Sequence, residues 1–172
     1  MKYITIFSDA SHCHETKAAG IAIWARDADK FFRRSKALTF PVDGPTTAEC
    51  IALGTAILSV IEEFDHQPGD RISIQSDCLA ALDLFAGSHR KKPWPAMEAD
   101  LKARVLKSVS CSGLSLHPKH VKGHRGNVNS RSAVNTWCDV NAREAMHKAR
   151  RILAQPKPEP PTHWMLLPEP PQ

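Results

Sequence analysis

Four acidic residues and one histidine stand far apart in the chain, in positions from which side chains can meet in a folded site. The acids are Asp9, Glu49, Asp77 and Asp139, and the histidine is His124. Each falls at the predicted end of a strand or on a helix that can pack over strand ends. Carboxylates gathered in one place repel each other at neutral pH, and divalent cations relieve that repulsion. Because hard oxygen ligands suit Mg²⁺ or Mn²⁺, the four acids are predicted metal ligands.

The charges are divided unevenly along the chain. Residues 1–89 carry 8 positive and 12 negative charges, whereas residues 90–151 carry 14 positive and 4 negative charges. This segregation favours a polyanion that is held by the basic half and acted on by metals bound to the acidic half. A solvated basic surface with no ligand is the alternative.

Cysteine use and the absence of long apolar runs predict a cytoplasmic protein. The 5 cysteines are far apart and form no Cys-x-x-Cys pair, which argues against a disulfide framework and against a structural zinc site. The opening MKYITIFSDAS is typical of a strand rather than of a signal peptide. No stretch reaches the roughly 18 apolar residues that a membrane span needs.

The elements that must position the acids follow from the periodicity of apolar residues. Alternating runs predict strands at 2–8, 18–25, 30–40, 71–75 and 114–122. Helical spacing and turn residues predict helices at 46–64, 78–85, 95–109 and 132–153. This order predicts an α/β fold with a five-stranded mixed sheet, in which parallel strands follow three antiparallel ones and helices flank the sheet. Residues 1–154 are the predicted catalytic domain, and the proline-rich residues 155–172 are a predicted disordered tail with no identified partner.

Four short motifs occur in one order along the chain. They are Asp9-Ala10-Ser11, then Ala48-Glu49-Cys50-Ile51-Ala52-Leu53, then Ser76-Asp77, and finally Lys122-Gly123-His124-Arg125-Gly126 with Asn135, Asp139 and Ala142 further on. Together these motifs resemble type I ribonuclease H, from about Lys2 to Ala149. The resemblance implies the ribonuclease H-like fold and a metal-dependent endonuclease.

The resemblance also implies a role for each of the five residues. Asp9 would bridge two Mg²⁺ ions, for which Mn²⁺ could substitute. Glu49 and Asp77 would complete the shell of one ion, and Asp139 that of the other. His124 would assist proton transfer or product departure. The implied reaction cuts the RNA strand of an RNA·DNA hybrid and leaves 5′-phosphate and 3′-hydroxyl ends.

Substrate contacts are predicted at polar and basic positions around the site. The candidates are Ser11, Thr46, Thr47, Arg90, Lys91, Lys92, Trp94, Lys122 and Asn135. Hydroxyl groups can test for the ribose 2′-hydroxyl in the wide minor groove of a hybrid, and the basic insert HRKKPW can hold phosphates. The expected partner is therefore the hybrid duplex, bound by a monomer away from any membrane.

Each acid also has an ordinary structural explanation. Glu49 could belong to a capping box that begins at Thr46, Asp77 could cap a helix, Asp139 could pair with Arg143, and Asp9 could be a turn residue. Rival functions are a nuclease for double-stranded RNA or branched DNA and a non-catalytic binding module.

The chain departs from the family pattern at several points. Ala10 replaces a glycine, His12-Cys13-His14-Glu15-Thr16 replaces a glycine-rich loop and could bind a metal, and Asn141 replaces an apolar residue. The segment between His124 and Asp139 is longer than is typical, because residues 127–131 are added, and this affects where His124 is placed.

Overall fold

A mixed sheet of five strands in the order β3-β2-β1-β4-β5 forms the centre of the protein. The structure is a computed structural model that describes residues 1–86, 92–121 and 130–155. The strands are β1 (Tyr3–His12), β2 (Ala19–Arg26), β3 (Phe31–Ala37), β4 (Arg71–Ser76) and β5 (Ser115–His120). The helices are α1 (Pro45–Glu63), α2 (Leu79–Ala86), α3 (Ala96–Ser112) and α4 (Ser130–Ala154).

The strand directions agree with the predicted mixed sheet. β1, β2 and β3 pair antiparallel, and β4 and β5 add parallel to β1. The predicted end of β1 at residue 8 is wrong, because the strand continues to His12. Its parallel pairing with β4 stops at Phe7 opposite Gln75, whereas its antiparallel pairing with β2 runs on to His12 opposite Ala19. Asp9 therefore lies within a strand, beyond the end of the parallel pair.

The alternation of side chains along β1 sends them to two different layers. Ile4 and Ile6 pack in the main core with Leu53 and Ile57 of α1. On the opposite face, Phe7 packs in a smaller cluster with helix α4. α4 crosses β1, β2 and β3 on this second face. Since Asp9 has the same parity as Phe7, its side chain leaves β1 on the α4 side of the sheet.

Gly20 allows α4 to lie directly on β2. A Cβ atom at this position would stand 2.1 Å from the backbone nitrogen of Met146 and 2.4 Å from the carbonyl oxygen of Ala142. These are backbone atoms of α4, which cannot rotate away as a side chain can. The close approach fixes the distance between helix and sheet, and thereby the place of Asp139 one turn earlier in the helix.

The described residues cover most of the predicted domain and stop near the start of the predicted tail. α4 ends at Ala154, where the predicted domain ends, while residues 156–172 lie outside the described residues. The division into domain and tail stays a prediction. Among the described residues, no helix is long and apolar enough to cross a membrane.

Candidate metal and catalytic site

The fold brings the four predicted acids to one cavity. Asp9 lies on β1, Glu49 on α1, Asp77 directly after β4, and Asp139 on α4. All four line a cavity of about 220 Å³. The cavity lies beyond the point where the parallel pairing of β1 and β4 ends, where the backbone of an α/β sheet leaves room for a ligand.

Three of the acids form a tight inner group. Asp9, Glu49 and Asp77 each offer a carboxylate oxygen, and these oxygens lie within 4.8 Å of one another. The N–H of Ala10 donates to Asp9 Oδ1 at 2.8 Å and to Glu49 Oε1 at 3.1 Å, so one backbone group orients both side chains. The other oxygen of Glu49, Oε2, is buried without a hydrogen-bond partner.

Burial and nearby negative charges raise the pKa of both Asp9 and Glu49. For Glu49 the largest cause is burial, and the nearby Asp9 adds to it, so that the pKa rises to about 9. Burial and then the charge of Asp77 raise the pKa of Asp9 to about 6, while the Glu49 carboxyl and the N–H of Ala10 lower it. Without a cation, the pair therefore shares a proton near neutral pH.

Asp139 lies at the same cavity but outside the inner group. Its carboxylate accepts hydrogen bonds from Arg143 Nη2 at 3.0 and 3.1 Å, one helical turn away. The ion pair that the sequence allowed is therefore present. It does not remove Asp139 from the site, because the aspartate also lines the cavity with Asn135 and Thr136 of the same helix.

Two of the ordinary explanations for the acids do not hold. α1 begins after Gly44, which makes no side-chain capping bond, so Glu49 is not part of a capping box. Glu49 is the fifth residue of α1, and its carboxylate points to Ala10 of β1 instead. Asp9 is not a turn residue, because it pairs with Ala22 in the middle of an antiparallel ladder.

The predicted substrate contacts are distributed unevenly. Asn135 is buried and lines the cavity, and Ser11 lies two residues beyond Asp9 on β1. Thr46 is exposed in the first turn of α1. Thr47 donates its hydroxyl to Glu98 of α3 at 2.6 Å, which gives that hydroxyl a structural partner.

The basic insert is described only in part. Lys92 is exposed, and Trp94 is half-buried against the main core, so at least part of its ring serves packing. Arg90 and Lys91 lie outside the described residues, as do Lys122 and His124. The roles predicted for these four residues stay predictions.

The histidine-rich loop has contacts that do not depend on a metal. His12 Nε2 lies 2.8 Å from the carbonyl oxygen of Val42, and the rings of His12 and His14 meet edge to face at 5.5 Å. Among the described residues, one group of three or more side chains has ligand atoms close enough to share a metal ion. That group is Asp9, Glu49 and Asp77, and it does not include the histidine-rich loop.

Sequence reasoning did not find Thr136 or the N–H of Ala10. Thr136 stands three residues before Asp139, on the helix face that reaches the cavity, and this spacing is the signal that could have identified it. The Ala10 N–H carries no sequence signal, since any residue but proline has one.

Comparison with solved structures identifies the fold. The N-terminal RNase H domain of rv2228c from Mycobacterium tuberculosis superposes with a TM-score of 0.67 at 16% identity, over 90% of this chain and all of that one. LC11-RNase H1 was isolated from compost and solved in complex with an RNA/DNA hybrid. It superposes with a TM-score of 0.66 at 18% identity, over 85% of this chain and 98% of that one. RNase H1 from Halobacterium salinarum superposes with a TM-score of 0.61 at 16% identity, over 86% of this chain and 99% of that one.

Sequence comparisons complete the assignment. No curated protein matches the chain. The family model for RNase H matches residues 1–147, which is most of the sequence. The architecture is thus ribonuclease H-like, and the chain belongs to the RNase H family.

Proposed function

We propose that this protein is a metal-dependent endonuclease that cuts the RNA strand of RNA·DNA hybrids and leaves 5′-phosphate and 3′-hydroxyl ends. The observation that carries the proposal is the inner group of Asp9, Glu49 and Asp77, which come from three elements to within 4.8 Å. Membership of the RNase H family supports the reaction class. A similar structure that was solved with an RNA/DNA hybrid supports the substrate class.

The donor set fits a hard divalent cation. The inner group offers carboxylate oxygens alone, and Glu49 Oε2 is buried without a partner in its absence. Buried oxygens of this kind are costly unless a cation or donor satisfies them. Asp9, Glu49 and Asp77 would hold one Mg²⁺ or Mn²⁺, and Asp139 would hold a second together with Asp9. When bound, such a pair of cations supplies an activated water and stabilises the leaving 3′ oxygen.

The protein's own groups prepare this site. The N–H of Ala10 fixes one oxygen of Asp9 and one of Glu49, which leaves Asp9 Oδ2 and Glu49 Oε2 for ligation. The raised pKa of Glu49 means that the cation displaces a proton when it binds near neutral pH. Arg143 holds the Asp139 carboxylate in place before any metal arrives. His124 is proposed to take or deliver a proton.

Substrate selection is proposed to rest on polar groups beside the cavity. Ser11, Thr46 and Asn135 would contact the 2′-hydroxyls in the minor groove of a hybrid. Thr47 is a weaker candidate, because its hydroxyl already donates a hydrogen bond to Glu98. Lys92, with Arg90, Lys91 and Lys122, would hold phosphates, and Trp94 would contact a sugar with the part of its ring that is not packed.

A panel of end-labelled duplexes tests the proposal. The protein is incubated with Mg²⁺ and a blunt RNA·DNA hybrid, double-stranded RNA, double-stranded DNA or a branched DNA. We expect cleavage of the RNA strand of the hybrid alone. The fragments should carry 3′-hydroxyl ends, so removal of 3′-phosphates by a phosphatase should leave their mobility on a gel unchanged. Cleavage of another duplex instead of the hybrid would identify a different nuclease on the same fold. Binding of the hybrid without cleavage would identify a non-catalytic module.

A further inference from the structure

The α4 side of the sheet is only partly covered by helix α4. Strand register places the α4-side residues in rows, with neighbours about 4.8 Å apart. One row runs Arg33, Trp24, Phe7, Gln75, Lys119, and the next runs Phe31, Arg26, Thr5, Ser73, His117. α4 packs on the first row, where Phe7 is buried, whereas Phe31 in the second row is 61% exposed. We call Tyr3, Trp24, Arg26, Phe31, Arg33 and Arg71 the open sheet face.

Aromatic and basic side chains alternate on the open sheet face. Tyr3 is 57% exposed, and the guanidinium of Arg71 lies 5.8 Å from the centre of its ring. Arg33 lies in the same way over Trp137 of α4, at 5.5 Å. Planar rings with guanidinium groups beside them are the elements with which proteins stack bases and hold phosphates of single strands.

Two cavities that share residues lie on this face. One, of about 580 Å³, is lined by Tyr3, Trp24, Arg26 and Gln75 among others, and the second, of about 490 Å³, shares Trp24 and Arg26 and adds Phe31 and Arg33. Gln75 is only 4% exposed, and its Oε1 has no hydrogen-bond partner. A buried amide oxygen without a donor, at the wall of an aromatic cavity, is suited to accept from the edge of a base.

The electrostatics of the face favour an anion. Asp27 also lines the larger cavity, but its carboxylate accepts from Lys2 Nζ at 2.9 Å and from the N–H groups of Asp29 and Lys30. These bonds hold the pKa of Asp27 below its ordinary value and leave its charge compensated. Asp29 lines the smaller cavity together with Lys30 and lies 3.9 Å from Lys2 Nζ, so lysines offset its charge and the three arginines leave the face positive.

One buried row of side chains, which includes Phe7 and Gln75 and is partly covered by α4, lies between the open sheet face and the candidate metal site. Phe7 is two residues before Asp9 on β1, which is about 7 Å along a strand, and Gln75 is two residues before Asp77. Val134, which lines the larger cavity, precedes Asn135 of the metal site. A strand that leaves the metal site on the α4 side would pass over this face.

We propose that the open sheet face binds single-stranded nucleic acid. Bases stack on Tyr3, Trp24 and Phe31, Gln75 accepts a base N–H, and Arg26, Arg33 and Arg71 hold phosphates. The rings and guanidiniums do not distinguish ribose from deoxyribose, so the binding extends to both RNA and DNA. The use of this face to guide a single strand that continues from a hybrid rests on the proposed nuclease function, but the binding itself does not.

Fluorescence anisotropy with a short labelled oligo(dT) or oligo(U), in EDTA so that no strand is cut, tests the proposal. The test variant is Arg26→Ala combined with Phe31→Ala. We expect its affinity for both oligonucleotides to fall about tenfold or more, since one stacked base contributes about 1–3 kcal/mol. The slope of log affinity against log salt should also decrease by about 0.7 for the lost phosphate contact.

The matched control is Lys107→Ala combined with Phe40→Ala, which removes an exposed cation of α3 and an exposed phenylalanine outside the face. Its affinity should equal that of the wild type. Equal losses in both double variants, or no binding of either oligonucleotide by the wild type, would overturn the proposal. Cleavage of a blunt hybrid is measured in parallel: its failure in the wild type would refute the nuclease function, whereas oligonucleotide binding is judged separately.

Discussion

Two pairs of side chains at the candidate site differ in almost every physical respect: the inner pair is Asp9 with Glu49, and the outer pair is Asp139 with Arg143. Asp9, which is buried, and Glu49, which is half-buried, come from different elements and share one backbone N–H as donor. Asp139 pairs with Arg143 on a single helix, and its side chain is 33% exposed. The first pair lacks a cation among the described residues around it, while the second already has one.

The difference shows which part of the site depends on metal. Burying two neighbouring carboxylates is unfavourable unless a cation or a proton lies between them. Asp139 needs neither, because Arg143 and solvent compensate its charge. The inner pair is thus the part of the site that costs stability in the metal-free protein, and it is where metal removal should be felt.

The largest expected effect is on catalysis. Asp9→Asn keeps the shape of the side chain but removes the charge that both proposed ions share. Hybrid cleavage in Mg²⁺ should fall by a factor on the order of a thousand or more. Arg143→Ala, which changes the outer pair, should keep cleavage within about tenfold of the wild type. Initial rates with labelled hybrid measure both, and equal effects of the two changes would break the distinction between the pairs.

The next effect concerns the helix that carries the outer pair. Gly20→Ala forces a Cβ into the backbone of α4, which must move away from β2. We expect a loss of about 3 kcal/mol or more in the free energy of unfolding, measured by urea denaturation. Gly44→Ala is the control, because a Cβ there has no neighbour within 4 Å and the backbone φ of −173° is extended. Similar losses at both glycines would argue against the close contact.

The inner pair should oppose folding when metal is absent. A raised carboxyl pKa contributes stability that is present below the unfolded-state pKa and lost as pH rises through the folded-state pKa. The pH range over which this stability is lost follows from the shift in each pKa, which is from 3.8 to about 6 for Asp9 and from 4.5 to about 9 for Glu49. In EDTA, Asp9→Asn should therefore match the wild type near pH 4 and exceed it by about 3 kcal/mol at pH 8.

Denaturation in EDTA across this range measures that difference, and saturating Mg²⁺ should reverse its sign at pH 8. A wild type that is more stable than Asp9→Asn in EDTA at pH 8 would show that the inner pair is not under repulsion.

The smallest expected effect is on the stability contribution of the outer pair. Exposed i,i+4 ion pairs contribute roughly 0.3–0.5 kcal/mol, so Arg143→Ala should lower the free energy of unfolding by no more than that. The loss should diminish in high salt. A loss above 1 kcal/mol would mean that Arg143 has a packing role beyond its pair with Asp139.

Much of this arrangement could be predicted from sequence, for identifiable reasons. The motifs around Asp9, Glu49, Asp77 and Asp139 retain their order, and apolar periodicity locates the elements that carry them. The end of β1 was missed because Asp9 resembles a turn residue, and only the pairing with β2 shows that the strand continues. Periodicity also cannot show that Thr47 is bonded to Glu98, or that the inner pair and Asp139 differ in partners, since these depend on contacts between distant elements.

Calorimetric titration of Mg²⁺ into the metal-free protein tests the central claim most directly. We expect the wild type to bind Mg²⁺ with release of protons near neutral pH, seen as heats that vary with the ionisation enthalpy of the buffer. Asp9→Asn should bind on the order of a hundredfold more weakly, because loss of a direct ligand costs at least as much as loss of its supporting groups. A wild type without Mg²⁺ binding, or an Asp9→Asn variant with unchanged affinity, would contradict the assignment of the buried carboxylates as a metal site.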